Sequence, residues 1–158
     1  MPSPEKGHNG DDYPQPFPAL IRVVHLYGKA TDILNNANRC SDSTLANALK
    51  ALVAMAEDLG GIYQQPSSEL AFNIPNFQHY ARAHQSSAFL LLNFWFHALI
   101  VLLHQPTVLA EGRMPQLFPY SHELSMSSAK TIADIFQLSL DIKAPGDPFI
   151  SQPTYIAA

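Results

Sequence analysis

Apolar residues recur at helical spacing along most of the chain, and polar or proline-rich stretches divide that pattern into segments. Leu20, Ile21, Val23, Val24, Leu26, Tyr27, Ala30, Ile33 and Leu34 follow a period near 3.6, which predicts a first helix over 18–36. Pro14, Pro16 and Pro18 are expected to keep the chain extended ahead of it, and Asn35, Asn36 and Asn38 weaken its end. Ser41-Asp42-Ser43 offers an N-cap before Leu45, Ala46, Ala48, Leu49, Leu52, Val53, Met55, Ala56 and Leu59, so a second helix is expected over 43–59, stopping at Gly60-Gly61. Pro66-Ser67-Ser68 marks a loop, and Leu70 to Ile74 an extended link whose Pro75 suits the first turn of the next helix.

That third helix is predicted as one long central element over 75–104. Its second half, Ala88 to Leu103, is apolar on all sides and runs into His104-Gln105-Pro106, where proline stops it. Sixteen residues at about 1.5 Å each span roughly 24 Å, less than the roughly 20 residues needed to cross a bilayer. With Asn93 and His97 in its middle, the segment reads as a buried core helix, not a membrane span. Residues 107–119 read as loop, and Ser121 or Ser125 can cap a fourth helix carrying Leu124, Ala129, Ile132, Ala133, Ile135, Phe136, Leu138 and Leu140 up to Ile142. Ala144-Pro145-Gly146-Asp147-Pro148 breaks the pattern, and a fifth helix is expected from Phe149. The chain closes on Tyr155-Ile156-Ala157-Ala158 without a polar ending, which leads us to expect a fragment. The fold class expected is all-α, an irregular array of about five helices incomplete at the C-terminus, with negligible strand content and no internal repeat.

Composition narrows the function classes. At 158 residues one domain is expected; 47% of residues are hydrophobic and 14% charged, which leaves a neutral surface suited to partner contact. The net charge of -4 and nine scattered Lys and Arg residues give no basic patch for phosphate contact. Cys40 is the sole cysteine, so neither an intrachain disulfide nor a thiolate zinc site can form within these residues. Residues 1–17 lack the apolar run of a secretory signal and, with their Pro, Gly and Asp content, are expected to form a disordered leader ahead of a helical region over 18–158.

Few groups suit chemistry. His97 and His104 share a helix face with Asn93 one turn earlier, an arrangement that could hold a metal, but no Asp, Glu or Cys accompanies them. The plainer expectation is that Asn93 and His97 are buried polar groups bonded to neighbouring elements. Trp95, between Phe94 and Phe96, could wall a ligand, and core packing is its ordinary role. Asn93, Trp95, His97 and His104 are therefore candidate effector contacts or core polar residues. His79, Tyr80, Arg82 and His84 could grip an anion or form a solvated face, and Ser125, Ser127 and Ser128 near Lys130 are expected to cap a helix because no base is placed to activate them. The seven glycines form no phosphate-cradling motif.

Taken in order, several motifs resemble the fungal-specific transcription factor domain, also called the middle homology region. The family's long helix ends in a Leu-Leu-His-(Arg or similar)-Pro signature, matched by Leu102-Leu103-His104-Gln105-Pro106 with Gln where Arg is common. Leu70-Ala71-Phe72-Asn73 is similar to the step preceding that helix, Ser127-Ser128-Ala129-Lys130-Thr131-Ile132 to the helix following it, and Pro148-Phe149 through Tyr155-Ile156-Ala157-Ala158 to the start of the next. Leu20 to Lys29 resembles an upstream helix with a Gly-Lys step, here Gly28-Lys29. The resemblance implies a nuclear regulator whose helical region restrains or transmits activation through other parts of its parent transcription factor, co-regulators, a small effector or a homodimer, and which is not an enzyme. Members of the family carry an N-terminal zinc cluster of six cysteines that contacts DNA; with one cysteine here, neither zinc nor DNA contact is expected from this chain. Two rivals follow from the residues: a stand-alone helical protein binding a small molecule near Trp95 and His97, and a metal-dependent enzyme using His97 and His104. The first predicts a closed cavity with convergent polar groups; the regulatory reading predicts apolar faces exposed on outer helices.

Overall fold

A computed structural model of the chain describes residues 13–37, 42–64, 69–104 and 120–141. Among these residues five helices and no strands are present: α1 Pro16–Ala37, α2 Asp42–Gln64, α3 Ile74–Arg82, α4 Ser86–Leu103 and α5 Ser121–Asp141. The molecule is an all-α array built around α4. That helix packs most extensively against α1 and α5, while α3 joins it at its N-terminal end and α2 lies mainly on α1.

The central position of α4 follows from its composition. Phe89, Leu90, Leu92, Phe94, Trp95, Leu99, Val101 and Leu103 are all buried, and they point around the whole helix circumference, so no single neighbour could cover them. Burial of each such side chain is worth about 1.5–3 kcal/mol, which outweighs the roughly 1 kcal/mol net of any hydrogen bond in the array. The length and mean hydropathy of 1.9 of α4 fall in the range of a membrane-crossing helix, and 56% of that window is covered by the protein itself. Around α4, α1 contributes Leu20, Val23, Leu26, Tyr27 and Ala30, α2 contributes Leu52, Met55 and Leu59, and α5 contributes Ile132 and Ile135. Tyr27 meets Trp95 edge to face at 4.9 Å.

Element boundaries depart from the sequence expectation in four places. The first helix starts at Pro16, not 18. Proline costs nothing in a first turn, where its missing N–H would have no intrahelical acceptor, so Pro16 and Pro18 are accommodated inside α1. The second helix passes through Gly60-Gly61 to Gln64, because glycine permits the left-handed cap without compelling it.

The single helix expected over 75–104 is two helices, α3 and α4, separated at Ala83–Gln85. His84 takes a left-handed φ of 57°, its N–H donates to Ala81 O at 3.1 Å, and Gln85 N–H donates to Tyr80 O at 2.8 Å. This paired bonding is a Schellman termination, and histidine is among the non-glycine residues that tolerate its backbone. Lastly, α5 starts at Ser121 behind Tyr120, whose φ is 67°, so Ser125 lies inside the helix and does not cap it. The expected fifth helix from Phe149 and the loop over 107–119 lie outside the described residues.

Candidate functional site

The polar residues of α4 are fixed by three different neighbours. Asn93 is fully buried, and its Nδ2 donates to Phe89 O at 2.9 Å within α4 and to Leu70 O at 3.1 Å in the link before α3. One amide thus ties α4 to the approach segment of α3. One turn on, His97 Nδ1 lies 3.1 Å from the Oγ of Ser128, a buried residue of α5. With the imidazole neutral, the tautomer decides which of the two donates. Burial lowers the His97 pKa to about 4, so the ring is neutral at physiological pH, and burial lowers that of His104 as well. His104 caps the C-terminal end of α4, its backbone N–H donating to Ile100 O at 3.0 Å.

The sequence places Asn93, His97 and His104 on one side of a helix, and the fold directs Asn93 and His97 to separate partners. Among the described residues no group of three or more His, Cys, Asp or Glu side chains is disposed to hold a metal. Trp95 is buried against Tyr27, so its ring fills the core between α1 and α4, and Phe94 is fully buried in the same hydrophobic core.

The polar cluster at the start of the expected long helix separates in the same way. Arg82 and His84 are exposed at the α3–α4 corner. Tyr80 is buried, and its hydroxyl donates to Pro14 O at 2.8 Å, while His79 stacks on Tyr13 with ring centroids 3.6 Å apart. Gln85 Nε2 adds a bond to Gln15 Oε1 at 2.8 Å. Residues 13–15 are thereby clasped to α3 and the corner before α1 begins. Burial first, then the Glu69 carboxylate and Tyr13, push the Tyr80 pKa up to about 12, so its hydroxyl remains a donor throughout the physiological range. No local pattern announces this clasp, because its partners stand 66 and 70 residues apart.

Compared with protein-family models, curated proteins and solved structures, the chain matches none.

The chemistry open to this constellation is therefore read from its own groups. Ser128, expected as a capping serine, is the α5 partner of His97, a role hidden in a sequence separation of 31. Lys130 pairs with Asp134 at 3.0 Å on the exposed surface of α5, and Ser127 O accepts from Thr131 Oγ1 at 3.0 Å. Among the described residues Ser128, buried in the α4–α5 interface, is hydrogen-bonded to an imidazole. The six-cysteine zinc group of the family resembled does not fit the residues present, since Cys40 is the sole thiol in the chain.

Proposed function

We propose that this chain is a helical regulatory region of a transcription factor, resembling the fungal-specific transcription factor domain and acting in the nucleus through contacts with its parent protein, co-regulators or an effector. The observation that supports this reading is the division of labour between helices. The polar groups of α4 serve as ties within the array, whereas the outer helices carry exposed apolar side chains: Phe17, Ile21 and Val24 on α1, and Leu124, Met126, Phe136 and Leu140 on α5. Faces of that kind suit protein contact. In this reading the chain performs no catalysis and holds no zinc, and DNA is reached only through a cysteine-rich module that these residues do not contain.

The test places the full chain between a heterologous DNA-binding module and an activation segment in fungal cells. Reporter output is expected to differ several-fold from that of the same fusion carrying an inert helical insert, and Phe17→Glu or Leu140→Glu is expected to remove the difference. Output equal to that of the inert insert would sink the reading.

A further inference from the structure

One polar atom near the N-terminal strap lacks the partner that burial calls for. Glu69 Oε2 is buried and has no hydrogen-bond partner among the described residues. Buried acceptors are almost always paired, and a carboxylate oxygen left without a donor is among the costliest exceptions. The residue that follows it shows where it lies: Leu70 O and Phe89 O share the Nδ2 of Asn93, at 3.1 and 2.9 Å, and the ring of Phe89 stacks on that of Tyr80 at 4.7 Å. Glu69 therefore enters the array beside Tyr80, and after burial its charge is the next cause of the raised pKa of that phenol.

The Tyr80 hydroxyl has one proton to donate, and in the closed array it points to Pro14 O at 2.8 Å. Two acceptors stand beside one donor, and the one on the strap is served. Among the described residues the strap is lightly fastened: besides that bond, Gln15 is held by an exposed 2.8 Å bond from Gln85 and Tyr13 by its stack on His79, while Pro14 and Pro16 have no N–H to give. A segment with so few tertiary contacts opens far more readily than the α4 core. When it lifts, Pro14 O is hydrated, the ring of Tyr80 stays packed on Phe89, and rotation about its C–O bond turns the hydroxyl toward Glu69. The closed arrangement leaves one acceptor unserved; the open one leaves none. We propose that Tyr80 and Glu69 form a latch for this strap: residues 13–15 and the first turn of α1 open together, the Tyr80 hydrogen bond passing from Pro14 O to the Glu69 carboxylate. The proton stays on the phenol throughout, and what changes is how often the aromatic face of His79 and Tyr80 is uncovered. No reporter output bears on the latch, so it stands or falls apart from the regulatory reading.

Amide exchange over residues 17–21 of the full chain, read where it follows the opening equilibrium, tests the latch. Glu69→Leu removes the second acceptor and is expected to slow exchange there roughly fivefold or more, and Glu69→Gln, which keeps a neutral acceptor, to slow it less. In a Tyr80→Phe background, where exchange starts faster, Glu69→Leu is expected to change it by less than about twofold, because no hydroxyl remains to pass between acceptors. The inference fails if Glu69→Leu leaves exchange unchanged or speeds it. It fails equally if the slowing is as large in the Tyr80→Phe background, which would assign the effect to the burial of Glu69 alone. Where circular dichroism shows that Glu69→Leu has lost helicity, the same cycle is run with Glu69→Gln: a slowing of about twofold that vanishes with Tyr80→Phe upholds the latch, and any other result overturns it.

Discussion

His97 shows how a single side chain carries information about pH. Its folded pKa of about 4 lies below the ordinary 6.5 because burial disfavours the cation, so the unfolded chain takes up its proton first as the solution is acidified. The stabilisation is complete above pH 6.5 and is lost as pH falls from there through 4, at about 1.4 kcal/mol per unit of displacement and on the order of 3 kcal/mol as an upper value. His104, lowered by the same cause, contributes with the same sign. Denaturant midpoints measured between pH 7 and pH 4 are expected to fall steeply in the wild type and less steeply in His97→Gln. Identical slopes would show that His97 is not held neutral by the α4–α5 interface. At this scale the sequence shows that Asn93 and His97 sit amid apolar residues, and hence that they need partners; Leu70 O and Ser128 as those partners depend on chain crossings 23 and 31 residues away.

At the scale of the element, capping decides where helices begin and end. The side chain of Asn73 accepts a 2.8 Å bond from Asn76 N–H and so satisfies one of the otherwise orphaned donors of α3, while Pro75 occupies its first turn. Asn73→Ala is expected to cost about 1 kcal/mol, and Asn73→Asp to retain most of the stability, both read from equilibrium unfolding. Equal stability of the alanine variant and the wild type would remove the cap from the account. The start of α3 was legible because proline marks it. Its end was not, since the Schellman turn at His84 lacks the glycine that ordinarily signals one, and apolar periodicity continues across the break. The passage of α2 through Gly60-Gly61 is the opposite case, a stop signal present in the residues and overridden in the fold.

At the scale of the molecule, α4 organises everything else, and the clasp at residues 13–15 closes the array at its N-terminal side. Tyr80→Phe removes the donor to Pro14 O while leaving the ring packed on Phe89 at a centroid distance of 4.7 Å. The variant is expected to lose roughly 1 kcal/mol in stability and to expose the first turn of α1 to faster amide exchange. Unchanged exchange there would mean that the Tyr13–His79 stack and the Gln85–Gln15 bond hold the strap without the Tyr80 hydroxyl. By itself the sequence determined the all-α class, the burial of α4 and the approximate course of α1, α2 and α5, because apolar periodicity and the demand to cover an all-round apolar helix are local properties of the chain. The tertiary structure alone decided which backbone carbonyl receives Asn93, which serine meets His97, how Tyr80 fastens residue 14, and which apolar residues of α1 and α5 remain outside. Those outcomes turn on the relative placement of segments tens of residues apart, and no local pattern encodes that distance.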